Sequence, residues 1–210
     1  MGYSKASKAN TRARLVETAA SRFKERGVDG ISLVDLMKDL KLTHGGFYKH
    51  FGSRDELVTE ALALALKQSG EAMREHGLGQ EKPDLTAFVD FYLGETHRDG
   101  RADGCAVAAL AGDAPRKDAA VQAQFREHID ANLRAITEVL RSGSSQDARE
   151  AAIMVLCCLY GALMTARAVG DSPLSREILR TVRKRALTLA APAKPAGVRV
   201  RDKKAYNVHR

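Results

Sequence analysis

Nine residues, Thr43-His44-Gly45-Gly46-Phe47-Tyr48-Lys49-His50-Phe51, constrain this 210-residue chain more than any other stretch. Thr43 can cap a helix with its hydroxyl. Phe47 and Phe51 stand four apart, so one side of the segment is apolar and His44, Tyr48 and Lys49 are left on another. Two adjacent glycines in so short a helix cost about 0.8–1 kcal/mol each relative to alanine. Two uses answer that cost: Gly45 and Gly46 let a foreign surface, such as a groove wall of DNA, come close, or they ease a tight crossing between helices.

The flanks have helical period. Leu15, Val16, Ala19, Ala20 and Phe23 recur at that spacing over 10–26, and Gly27 supplies the stop. Ser32 with Asp35 forms a capping box, and Leu33, Leu36, Met37 and Leu40 make the inner face of a second helix. Leu42 is a buried residue in the turn that follows, so the order is helix, tight turn, helix, the geometry in which the second helix enters the major groove. Ser53-Arg54-Asp55-Glu56 is another capping box and opens a rod over 53–76 whose stripe is Leu57, Val58, Ala61, Leu62, Ala65 and Leu66. The start of that rod offers backbone N–H groups and Arg54 to a phosphate, while its far end lies in the rest of the protein.

Charge is distributed to match. Of the formal +8, residues 1–54 carry +6 and residues 194–210 carry +5, leaving −3 for everything between. A basic start on a slightly acidic body points to a polyanion met by the first quarter of the chain. Residues 1–8 read as a loose basic arm with Lys5 and Lys8 in reach of phosphates, or as a solvated terminus.

Here the residues carry a family resemblance. The run from Leu15 to Leu62, above all Leu42-Thr43-His44-Gly45-Gly46-Phe47-Tyr48-Lys49-His50-Phe51-Gly52-Ser53-Arg54-Asp55-Glu56-Leu57, resembles the N-terminal DNA-binding domain of TetR-type bacterial transcriptional regulators. The family often has glycine where this chain has Lys41. The resemblance implies that Ser32, Thr43, Tyr48, His50 and Arg54 hold phosphates of a double-stranded operator, with His44, Gly45, Gly46 and Lys49 nearest the bases. Phe47 and Phe51 read as core.

The remaining chain reads as helices throughout. Helical patterns cover 85–97 with Phe88, Phe91 and Tyr92, a short apolar segment 105–110, a helix over 119–140, an Ala-rich helix over 147–169 and a last helix over 173–190 opened by Ser172-Pro173. The expected fold is all-α, about nine helices in total. A three-helix helix-turn-helix domain occupies 1–52, a helical effector-binding and dimerisation domain 53–190, and a basic flexible tail 191–210. The nearly uncharged run 151–166 is short of the roughly 20 residues of a membrane span; no secretory signal is read at the N-terminus, and the expected location is cytoplasmic.

By the same resemblance, the helices of 147–169 and 173–190 form a homodimer, with Gly161, Ala162, Ala166 and Ala168 permitting close approach and Arg176, Arg180 and Arg183 on the rim. A small-molecule effector would enter a pocket lined by some of Phe88, Phe91, Tyr92, Leu110, Phe125, Ile129, Tyr160 and Met164, and release a repressor from its palindrome. Gly104-Cys105-Ala106-Val107-Ala108-Ala109-Leu110 resembles the loop-to-helix junction of a subgroup that includes the N-ethylmaleimide reductase repressor. There a cysteine senses electrophiles or oxidants, and a helix N-terminus would lower the Cys105 thiol pKa. Arg167 is the nearest candidate for the subgroup's lysine partner; the alternative is that Cys105 is a small buried hydrophobe.

Other classes leave no signature. There is no Gly-rich phosphate loop, no HExxH and no CxxC, so neither a metal, a cofactor nor an enzyme is expected. Three cysteines, two of them the adjacent Cys157 and Cys158, do not make a disulfide framework. A helical enzyme and a general DNA binder are the alternatives to a regulator.

Overall fold

The computed structural model describes residues 5–141 and 145–190. Every regular element among them is helical: α1 (Lys5–Arg26), α2 (Leu33–Asp39), α3 (His44–Phe47), α4 (Arg54–Met73), α5 (Leu85–Tyr92), α6 (Glu95–Asp99), α7 (Ala106–Leu110), α8 (Ala119–Val139), α9 (Ser145–Ala168) and α10 (Pro173–Ala190). The tail expected over 191–210 lies outside the described residues, as do residues 1–4 of the expected arm. Residues 5–9 are helical, so α1 begins five residues before the expected start.

The predicted caps are in place. Ser32 Oγ accepts the Asp35 amide at 3.2 Å, Thr43 Oγ1 accepts the Gly46 amide at 3.1 Å and Ser53 Oγ accepts the Glu56 amide at 3.1 Å. Glu56 returns the favour one residue early, accepting the Gly52 amide at 2.7 Å. Between α2 and α3 the Leu42 amide reaches the Met37 carbonyl at 2.9 Å and the Lys41 amide reaches the Lys38 carbonyl at 3.1 Å. That bond pair is a Schellman ending, and Lys41 takes the left-handed position at φ 55° where glycine is usual.

Ten helices appear where about nine were expected, because the predicted 85–97 helix is two. Leu93 and Gly94 break it, and His97 folds back so that its Nδ1 lies 2.7 Å from the Tyr92 carbonyl. The α4 rod also ends earlier, at Met73, and runs into a wide helical turn, Arg74–Leu78. Gly77 makes that turn possible: its φ is +134°, and a Cβ there would stand 2.4 Å from the Asp84 carbonyl oxygen.

Packing places α1 across α4, α4 against α8, and α9 between α8 and α10. Leu15, Ala19 and Phe23 of α1, Leu36 of α2 and Phe47 of α3 close on Leu57, Ala61 and Leu62 of α4, all essentially buried. Farther along, Phe88, Tyr92, Leu110 and Phe125 meet Val155, Leu156, Leu159 and Leu163 of α9. Asp147–Ala168 is long and apolar enough to cross a membrane by length and composition alone, longer than the 151–166 run suggested. In this fold its Ala152, Val155, Leu159 and Leu163 are core, while Ile153, Met154 and Met164 lie on the outside.

Candidate nucleic-acid interface and body cavity

The outward side of α3 is polar and cationic. His44, Gly45 and Lys49 are exposed, Thr43 is exposed at the cap, and Tyr48 is 54% exposed while its ring stands edge-on to His44 at 5.2 Å and to Phe47 at 5.1 Å. Phe47 and Phe51, stacked at 5.5 Å, are buried beneath. A Cβ on Gly45 would meet nothing within 4 Å, so no helix crossing within the subunit needs that glycine. Gly46 is tighter, 3.3 Å from Thr43 Oγ1.

Beside this helix lies a recess of about 670 Å³ lined by Lys8, Thr11, Lys41, Thr43, Lys49 and His50, among others. Lys8, Lys41 and Lys49 make no ion pair among the described residues, whereas Arg12 is matched to Glu56 and Glu60 and Arg22 to Glu25 and Asp39. Around this recess the cations differ: Arg12 and Arg22 are tied to carboxylates, and Lys8, Lys41 and Lys49 are left facing outward. Lys41 and Thr11, not singled out as candidate contacts in the sequence, also line this recess; the signal for Lys41 was its place in the turn between the two helices.

The other expected contacts are placed variously. Ser32 is exposed, its hydroxyl donating to the Asp35 carboxylate at 2.6 Å. His50 is half-buried with Nδ1 lacking a partner among the described residues; burial, then Lys8, Arg12 and Lys49, hold its pKa below the ordinary histidine value. Arg54 departs from the expectation. Its guanidinium donates to the carbonyls of Val28 at 2.6 Å and Ile31 at 3.2 Å, so it braces the turn between α1 and α2.

In the body, the eight expected pocket residues do not form one pocket. Phe88 and Leu110 are sealed in the core. Phe125 and Ile129 border an open recess of about 590 Å³ with Ala111, Pro115 and Gln122. Met164 is 46% exposed on the outer side of α9, about a quarter-turn past the buried Leu163. Phe91 and Tyr92 border a different, small cavity with Ser69, Met73, His97, Asp103 and Cys105, and Phe91 lies between the rings of His76 and His97 at 3.5 and 5.2 Å. Tyr160 approaches Tyr92 at 6.2 Å and its hydroxyl accepts from Asn132 at 3.0 Å. Asn132 in turn lies 2.9 Å from His128 Nε2, and burial, then Arg74, pulls the His128 pKa down to about 4.

Cys105 is the cap of α7: its Sγ accepts the Ala108 amide at 3.5 Å. Its own amide donates to His97 Nε2 at 3.1 Å, which leaves Nδ1 of His97 to donate to Tyr92. The expectation of a lowered thiol pKa is corrected here. Burial pushes the Cys105 thiol up and outweighs the neighbouring Tyr92 hydroxyl, the Ala108 and Val107 amides and Arg167, since α7 is only five residues long. Arg167 does reach this loop, donating to the carbonyls of Arg98 at 3.0 Å and His97 at 2.8 Å.

The outer face of α9 and α10 carries exposed apolar residues, Ile153, Met154, Met164, Leu174 and Leu189, with open space at Gly161. Arg183 is paired with Asp90 on α5, and Arg176 with Asp171.

Comparison with known proteins matches two stretches of the chain. Residues 15–61 match the bacterial regulatory proteins of the tetR family, and residues 83–184 match the C-terminal domain of LmrA/YxaF-like transcriptional regulators. No curated protein matches the chain. Among solved structures, a TetR transcriptional regulator from Chloroflexus aurantiacus J-10-FL is similar with a TM-score of 0.72 at 23% identity, covering 86% of this chain and 94% of that one. A TetR-family regulator from Agrobacterium tumefaciens has a TM-score of 0.70 at 22% identity, covering 85% and 98%. The reduced form of E. coli NemR has a TM-score of 0.68 at 17% identity, covering 85% and 96%. At these identities the likeness is one of fold.

Proposed function

The chain carries the N-terminal and C-terminal domains of TetR-family transcriptional regulators, and from that premise we propose that it is a cytoplasmic, non-enzymatic repressor that binds a palindromic operator as a homodimer. The observation that carries this reading is a trio of lysines: Lys8, Lys41 and Lys49 make no ion pair among the described residues and surround a capped, glycine-bearing helix whose Tyr48 and His44 face out. Phosphates supply the counter-charge that the protein withholds from these lysines. The open space at Gly45 lets the helix approach base edges.

We assign residues 1–52 to the reading head and 53–190 to a body that α4 joins rigidly to it. The exposed apolar face of α9 and α10 pairs with its twin, since a single α3 spans too few bases to be selective. An effector in the body tilts α4 and changes the spacing of the two heads. Footprinting on DNA flanking the protein's own gene tests the proposal. A protected palindrome, with affinity falling steeply in salt, is the expected result, and binding without preference over random DNA overturns it.

Switching by oxidation or alkylation of Cys105 is the second reading, favoured by the proximity of Arg167 to the Cys105 loop. Cys105→Ser protein that keeps its full response to an electrophile eliminates it.

A further inference from the structure

The turn that leads from α1 into α2 is held from two sides. Gly27 ends α1: its amide donates to the Phe23 carbonyl at 2.8 Å, and its φ of +80° is a left-handed position that turns the chain away from the helix. Val28 comes next and is fully buried, so its backbone groups need partners from elsewhere. Its carbonyl accepts from Arg54, at the start of α4, at 2.6 Å. Its amide donates to Asp113 Oδ2 at 3.2 Å, across 85 residues of chain, and Asp113 lies in the segment between α7 and α8. The other oxygen of Asp113 pairs with the exposed Arg116.

A second bond joins the same two segments. The Lys117 ammonium meets Asp29 Oδ1 at 3.1 Å and Oδ2 at 3.4 Å, and Arg54 approaches the same carboxylate at 3.8 Å. Lys117, then Arg54 and Arg116, hold the Asp29 carboxyl below the ordinary carboxylate value. Asp29 is 63% exposed, so this ion pair is the weaker link and the buried Val28 amide the stronger one.

The segment that carries Asp113 and Lys117 is itself tied to the body. Within it the amides of Asp113, Arg116 and Lys117 donate to the carbonyls of Leu110, Asp113 and Ala114 at 3.0, 3.0 and 3.1 Å. Asp118 caps α8 by accepting the Val121 amide at 2.9 Å, and the Gln122 side chain donates to the Lys117 carbonyl at 3.2 Å. The segment therefore follows α7 and α8. On the head side, Ile31, whose carbonyl Arg54 also holds, is followed directly by Ser32, the cap of α2, and the bond from the Leu42 amide to Met37 leads α2 into α3.

We propose that Asp113 and Lys117 are positioning residues for the reading head: they form a latch through which the body fixes the start of α2, alongside the covalent path through α4. The latch stands on the hydrogen bonds alone, whereas its consequence for DNA rests on the regulator proposed above. Two heads on one palindrome must keep one spacing, and a head that samples several poses binds only through the fraction in the competent one.

Hydrogen–deuterium exchange of the full chain tests the latch, with binding to the footprinted palindrome measured in parallel at a temperature where every variant is folded. Asp113→Ala leaves the Val28 amide without its acceptor; exchange over 27–31 speeds up about tenfold and the operator Kd rises about tenfold. Asp113→Asn keeps an oxygen for that amide and holds both readings near the wild type. Lys117→Met raises each about twofold, and Lys117→Arg leaves them unchanged. Asp113→Ala that alters exchange only within 111–118 overturns the latch. Faster exchange over 27–31 with wild-type operator affinity overturns the positioning role. A wild-type protein without sequence preference defeats the regulator instead, and exchange over 27–31 still decides the latch.

Discussion

In the head, two arginines are fully engaged: Arg12 reaches Glu56, Glu60 and the His50 carbonyl, and Arg54 closes on the carbonyls of Val28 and Ile31, while Lys24 is buried with no ion pair among the described residues. In the body, Gln124 Oε1 and Arg167 Nη1 are buried and unpartnered among the described residues, as His50 Nδ1 is in the head, and His128 is kept uncharged by burial. For the proposed reading head this rigidity matters, because a shift of an ångström moves every contact at once.

Substitutions that break this comparison rank by size. Phe47→Ala removes the aromatic that fixes α3 to the head core and costs about 3–5 kcal/mol in denaturant unfolding, with operator binding lost. Next is the body's pH response. His128 binds its proton in the unfolded chain near the ordinary value of about 6.5 and in the folded one only near 4, so the unfolded state holds more protons in that window. Stability from this group is complete above the unfolded value and declines by about 3 kcal/mol as pH falls to 4. Melting curves show whether His128→Gln flattens that slope; an unchanged slope would place the loss elsewhere.

Arg54→Met should destabilise the head by about 2 kcal/mol, since two carbonyls of the turn lose a charged donor. If instead stability holds and DNA affinity alone falls, Arg54 is a phosphate contact after all. Lys41→Gly relieves the left-handed backbone and stabilises the head by about 1 kcal/mol, readable as a higher denaturant midpoint. Smallest in energy is Lys49→Ala, which leaves stability unchanged and lowers the salt dependence of operator binding by about one counterion.

The head was legible almost to the residue. Caps at Ser32, Thr43 and Ser53 and the pairing of Phe47 with Phe51 are local statements, each settled within four residues of chain, so spacing alone exposes them. The bracing contacts of Arg54 were not legible because its acceptors lie 23 and 26 residues away, beyond any pattern in the chain. The body pocket missed for a related reason. Helical period tells which residues share a stripe but not which neighbour that stripe meets, so Phe125 and Tyr92 were grouped when the fold sends them to separate recesses.

An all-helical chain, the order of its segments and the capped, glycine-bearing helix after Leu42 followed from the sequence by itself, because helix starts, stops and apolar stripes are written over short spans. Tertiary structure alone decided which cations are paired and which are not. It also brought Lys24, Cys105 and Arg167 near one another from α1, the α7 cap and α9. The pKa of Cys105 belongs to that second group: a cap position in the sequence argues for a reactive thiol, and only packing shows that burial outweighs the short helix.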